Sequence, residues 1–152
     1  MLARDLAETY PYVSVDADAM DAARLLAGHK LPALLVVDAD QRPYAIVPGS
    51  QLVKQLVPDY LMEEPLLAAV IDDRHLGEVA EKISGLTVAE WLPKRTYTPP
   101  VVGPDAGLLQ MAALMARTRS PLVAVIERDG DRITLLGAIT AASLMMHLVG
   151  EA

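Results

Sequence analysis

The second half of this chain repeats its first, and that duplication limits what it can fold into more than any other feature. Residues 121–144 (PLVAVIERDGDRITLLGAITAASL) read as an apolar run of strand length, a tight turn, a second apolar run and a helix start. Residues 32–52 (PALLVVDADQRPYAIVPGSQL) read the same way. An offset of 89 carries Pro32 to Pro121, Asp16 to Asp105, Ala23 to Ala112 and Leu25 to Leu114. Past the turn the offset is 92, pairing Val47 with Ile139 and Leu52 with Leu144, so the second hairpin is three residues longer. Upstream, an offset of 86 pairs residues 2–6 with 88–92. A repeated fold tolerates length changes best when they fall in turns. A unit of about 50–55 residues is marginal alone, so two units sharing a core are the better solution.

Local signals place the elements. Arg128-Asp129-Gly130-Asp131 supplies the second turn, because Asp-Gly tolerates positive φ. Thr140 stands where the following helix needs an N-cap. In the first half, residues 2–6 form a short helix and Val13-Ser14-Val15 a short strand. Asp16-Ala17-Asp18 offers N-caps for a helix to about His29, ended by Gly28, with Met20, Ala23, Leu26 and Ala27 as its buried stripe. In the second half, Thr87-Val-Ala-Glu90 has capping-box spacing. Asp105 caps a helix to about Arg117 whose stripe is Leu108, Met111, Ala112 and Met115. The fold class is therefore α+β: two pseudo-symmetric βαββα units, each behind a short helix, packed as one module. Residues 1–58 form the first unit and 86–152 the second. Between them, 59–85 is a partly helical connector broken by Pro65, Asp72-Asp73 and Gly85, with Leu76, Val79, Ala80 and Ile83 at helical spacing.

Composition narrows the function. With 53% hydrophobic and 22% charged residues the chain is globular. There is no Cys, hence no disulfide frame and no thiolate metal site, which fits a reducing cytoplasm. The first residues, MLARDLAETYP, lack the apolar core of a signal peptide, and no apolar run approaches membrane-spanning length. A net charge of −7 with no Phe, one Trp and five Tyr argues against nucleic-acid binding. The surplus of apolar helix positions, including Leu144, Met145 and Leu148, points to a homodimer.

Two βαββα units in tandem, each behind a short helix, resemble a pair of cystathionine-β-synthase (CBS) domains, the Bateman module. The resemblance is carried by the strands that follow a proline (Pro32-Ala-Leu-Leu-Val-Val-Asp38; Pro121-Leu-Val-Ala-Val-Ile-Glu127) and by Gly137-Ala-Ile-Thr140-Ala-Ala-Ser143-Leu144. The last is similar to the family's Gly-x-apolar-Thr-x-x-Asp-apolar signature. The resemblance implies a non-catalytic regulatory module that binds an adenine nucleotide (AMP, ADP or ATP), or a related small molecule, in the cleft between the units. It also implies that Thr140 contacts phosphate or ribose and that Ser143 stands where an Asp would hold the ribose hydroxyls. In the first unit Pro48 replaces the Thr and Gln51 the Asp. Lys30 and Arg119, two positions before each strand proline, match a basic residue that meets phosphate in some members. The implied ligand-binding set is Thr140, Ser143, Arg119, Lys30, Ala138, Pro121, Leu122 and Pro100.

Each of these residues also has a plainer reading. Thr140 is an ordinary N-cap worth ~1 kcal/mol. Lys30 and Arg119 are solvated cations at helix ends, where the dipole favours them. Tyr97, Pro99 and Pro100 either pack the start of a strand or wall an apolar pocket. His29, His75 and His147 lack metal-ligand spacing, and no nucleophile or acid–base constellation suggests an enzyme. The Met-rich end, Met145-Met146-His147-Leu148, fits an interface. The alternative class is a degenerate pair that serves as a dimerisation or docking scaffold without nucleotide.

Overall fold

Alternation explains why residues 33–37 and 122–126, in the two central strands, are apolar without a break. The computed structural model describes residues 1–70, 76–94 and 98–150; Asp72, Asp73, His75 and Tyr97 lie outside them. Strand β2 (Ala33–Val37) lies between β1 (Tyr12–Ser14), parallel to it, and β3 (Pro43–Pro48), antiparallel. In the second sheet β5 (Leu122–Asp129) lies likewise between β4 (Val101–Val102) and β6 (Arg132–Thr140). Successive side chains of a strand point to opposite faces. Leu34 and Val36 enter one core with Ala19, Ala22 and Leu52. Val123 and Val125 enter another with Met111, Ile139 and Leu144. On the opposite faces Ala33 and Leu35 meet Leu122, Ala124 and Ala138 in a core that both sheets share. Strands buried on both faces read as continuous apolar runs.

The duplication extends to irregularities. Val36 pairs with Ala45 and Val37 with Pro43, leaving Tyr44 as a bulge. Val125 pairs with Gly137 and Ile126 with Leu135, leaving Leu136, 92 positions on, as its counterpart. The turns differ. The second is tight, with Gly130 at φ +63°. The first is organised by the Asp38 carboxylate, which accepts from the N–H groups of Asp40 (2.9 Å) and Arg42 (3.0 Å), with Gln41 at φ +64°.

Helix ends follow and correct the sequence signals. Asp18 caps α2 (Ala19–Gly28), accepting from the N–H of Asp21 at 3.0 Å. The buried face of α2 runs through Ala19, Ala22, Ala23 and Leu26, the i, i+3, i+4, i+7 set, and this leaves Ala27 exposed. Gly28 is not the left-handed residue; Lys30 is, at φ +51°, as is Arg119 at φ +53° after α8 (Leu108–Thr118). Asp105 does not cap α8, whose N-cap is Gly107. Its carboxylate pairs instead with Arg4. Leu108, Met111, Ala112 and Met115 pack into the second core as expected. Helix α9 (Ala141–Leu148) is capped by Thr140, which accepts from the N–H of Ser143 at 3.1 Å. Helix α3 (Gly49–Leu56) starts on Pro48, which has no side chain to cap it.

The short helices are exchanged between the halves. Ala3 and Leu6 of α1 (Ala3–Leu6) belong to the second core, and Val88 and Trp91 of α7 (Val88–Trp91) to the first. The backbone bonds match: the N–H groups of Ala3 and Arg4 donate to Ala106 (2.8 Å) and Pro104 (3.0 Å), those of Val88 and Ala89 to Ala17 (2.8 Å) and Val15 (3.0 Å). These pairs set the upstream offset at 85 rather than 86, so Leu6 answers to Trp91. The capping box forms, with Thr87 N–H donating to Glu90 at 3.0 Å and Glu90 N–H to Thr87 at 3.2 Å.

The connector holds α4 (Asp59–Glu63), α5 (Pro65–Val70) and α6 (Leu76–Ile83). Among its described residues only Ile83 is buried; Val79 is half-buried, while Leu76 and Ala80 are exposed. Lys82 fastens α6 to the end of α3 by donating to the Val57 carbonyl at 2.6 Å. Among the described residues no helix is long and apolar enough to cross a membrane.

Candidate functional site

Pseudo-symmetry creates two equivalent places for a cleft, one beside β3 and one beside β6, and the chain treats them differently. Beside β3 there is a cavity of about 530 Å³; it shares Pro48, Gln51, Arg119 and Ser120 with a cavity of about 690 Å³ that lies between the starts of α3 and α9. The smaller is the inter-unit cleft. Ile46 forms its floor, Pro99 and Pro100 one wall, and Arg117, Arg119 and Gln51 its polar rim.

The rim is built by the end of α8. Thr118 Oγ1 donates to the Leu114 carbonyl at 2.8 Å, closing the last turn. Arg119 takes the left-handed conformation, so the chain reverses into β5 within three residues. Ser120 Oγ donates to the Leu122 carbonyl at 2.6 Å and accepts from the Leu122 N–H at 3.3 Å, fixing the corner. Arg117 and Arg119 have neither an ion pair nor a side-chain hydrogen bond among the described residues. Two unpaired guanidinium groups beside an apolar floor suit a ligand with a flat apolar part and an anionic part.

Beside β6 the chain itself takes the space. The Glu8 N–H donates to the Ala138 carbonyl at 3.0 Å and the Ala138 N–H to the Glu8 carbonyl at 2.9 Å. Tyr10, only 8% exposed, joins the shared core, and its hydroxyl donates to the Ala33 carbonyl at 2.6 Å. Burial raises the pKa of that hydroxyl above the ordinary tyrosine value, and the bond to Ala33 acts in the opposite direction.

The residues singled out in the sequence do not all meet. Arg119 and Pro100 come together at the β3 cleft. Pro121 lines the larger cavity, with Met115, Leu144 and Leu148. The Leu122 and Ala138 side chains are buried in the shared core. Thr140 and Ser143 are half-buried at the start of α9, and Lys30 is exposed at the end of α2. Arg117 and Ile46 were not singled out; the signal for Arg117 was its place two residues from Arg119. His29 and His147 donate to helix carbonyls four residues back, those of Leu25 (3.2 Å) and Ser143 (2.9 Å). Among the described residues no group of acidic and His side chains could hold a metal.

The family model of the CBS domain matches residues 3–58. A CBS domain-containing protein of unknown function from Kribbella flavida, known as a crystal structure, is 43% identical, with 99% of each chain covered and a TM-score of 0.84. The crystal structure of CBSX2 in complex with AMP is 19% identical over 97% of this chain and 96% of that one, with a TM-score of 0.65. The CBS-domain containing protein ATU1752 from Agrobacterium tumefaciens is 21% identical over 95% of this chain and 90% of that one, with a TM-score of 0.61. The latter two likenesses are of fold alone. No curated protein matches the sequence.

Proposed function

We propose that this chain, which belongs to the CBS-domain-containing proteins and carries two CBS units in tandem, is a non-catalytic regulatory module that binds an adenine nucleotide in the cleft beside β3. The observation that carries this reading is the pairing of an apolar floor, Ile46, with Arg117 and Arg119 at one rim, both without an ion pair among the described residues. A purine fits the floor and a phosphate the arginines. The AMP complex of CBSX2, a protein of the same fold, supports the choice of ligand. Gln51 offers the sugar a neutral amide in place of the family's carboxylate, so the phosphate carries more of the selectivity.

Calorimetric titration tests this. AMP binds, and Arg119→Gln weakens it by about ten- to a hundredfold, because a hydrogen bond to a charged group contributes ~1.5–3 kcal/mol. Adenosine, which has no phosphate, is unaffected by the substitution. Equal losses for AMP and adenosine would refute the assignment.

The second reading, a scaffold without nucleotide, is favoured by Pro48 and Gln51 at the two signature positions and by the exposed apolar face of α9. Met145 is 60% and Leu148 41% exposed, whereas Leu144, at 2%, belongs to the core and is not part of that surplus. On either reading α9 pairs two copies as a homodimer, and light scattering should give twice the 16.3 kDa chain mass. Thermal unfolding separates the two: ligand at 100 times its Kd adds ~2.7 kcal/mol for the sensor and nothing for the scaffold.

A further inference from the structure

We infer that the cleft beside β6 is held shut by residues 7–10 of the same chain, so that each chain offers one ligand site rather than two; this rests on reading the β3 cleft as the ligand site. Four features hold the β6 side, and they act together. The reciprocal bonds between Glu8 and Ala138 lay a strap along the free edge of β6. Behind it, Tyr10 fills the shared core and satisfies the Ala33 carbonyl. At the equivalent position of the other half stands Pro99, which has no hydroxyl. There the counterpart carbonyl, that of Leu122, is satisfied by Ser120 instead.

The strap also needs Gly137. A Cβ at that residue would strike the Glu8 carbonyl oxygen and lie 2.9 Å from its carbon, and the backbone there has φ +154°, which disfavours other residues. The counterpart of Gly137 in β3 is Ala45, whose Cβ bars the same approach. Finally, residues 7–11 join α1 to β1, while residues 92–100 join α7 to β4, a connection longer by four. The shorter connection has little slack to leave the sheet edge.

The consequence is a 1:1 module. Occupancy of a single chain then follows a simple saturation curve, with no cooperation between two sites of the same chain.

Amide hydrogen exchange, read by NMR, tests the strap without any ligand. The Glu8 and Ala138 amides should exchange at least a hundredfold more slowly than in an unfolded chain; exchange of Glu8 at the unfolded rate would overturn the inference. Gly137→Ala should abolish protection at Glu8 while Val123 and Val125 keep theirs, and continued protection of Glu8 would count equally against it. Should that variant fail to fold, Tyr10→Phe, which keeps the ring and loses the bond to Ala33, should speed Glu8 exchange severalfold; an unchanged rate refutes the strap. Titration of the full chain with AMP should give one equivalent per chain, and two equivalents overturns the inference. If AMP does not bind at all, the nucleotide reading falls and the exchange rates alone decide the strap.

Discussion

Helix α7 begins on a complete capping box, Thr87 with Glu90, and buries a tryptophan; α1 begins on Leu2, whose side chain cannot accept a hydrogen bond, and buries a leucine. Both are four residues long and so have no stability of their own. Each is held by two backbone bonds to the opposite half and by two side chains in that half's core. At α1 half of the missing cap is replaced by Asp5, which accepts from the Leu2 N–H at 2.9 Å, and an ion pair between Arg4 and Asp105 adds an outer tie. The backbone geometry is therefore what the duplication preserved, and the side chains that secure it have diverged.

That contrast can be broken by substitution. Trp91→Ala should have the largest effect, about 3–5 kcal/mol, read from urea denaturation. Trp91→Leu, which copies the other helix, should cost under about 2 kcal/mol, because it also removes an indole N–H that is buried without a partner among the described residues. Leu6→Ala should cost about 2–3 kcal/mol. If Leu6→Ala proves as damaging as Trp91→Ala, the two helices are not unequally anchored.

Thr87→Ala should cost ~1 kcal/mol, with no counterpart at Leu2. The Thr87 backbone N–H, and then its hydroxyl, hold the Glu90 carboxyl below its ordinary pKa. A folded value below the unfolded one means stability that is present above the unfolded value and lost as pH falls through the folded value. Wild type should therefore lose stability on acidification more steeply than Glu90→Gln, as measured by urea midpoints across the acid range. Coincident pH profiles would remove Glu90 from the comparison. Arg4→Ala should be the smallest change, below ~1 kcal/mol, because the pair with Asp105 is exposed. High salt should erase it.

Much of the fold was legible because it is written in local pattern. The hairpins, the Asp18 and Thr140 caps and the Thr87–Glu90 box depend on residues a few positions apart. The exchange of α1 and α7 left no such trace, since Ala3 meets Ala106 and Val88 meets Ala17 through backbone groups that every residue carries. The same is true of Asp105, whose spacing suits a cap but whose partner, Arg4, is remote in sequence. The candidate site was half legible. Arg119 and Pro100 were singled out by their place before a strand, but periodicity cannot show which of two equivalent clefts is filled. The traces were Gly137 against Ala45, Tyr10 against Pro99 and the unequal connections, and each becomes informative only once the halves are superposed in space.

The exchange of helices also sets a timetable. On the ribosome α7 meets its core almost as soon as it is made, because Ala22, Leu34 and Leu52 precede it. Helix α1 must wait for Val123, Ile139 and Leu144. At roughly 5–20 residues per second, that wait is on the order of ten seconds. Through it Leu6 has no core to enter, and α1 stays loose beside a finished first half. The second half, made later, is what brings α1 to rest.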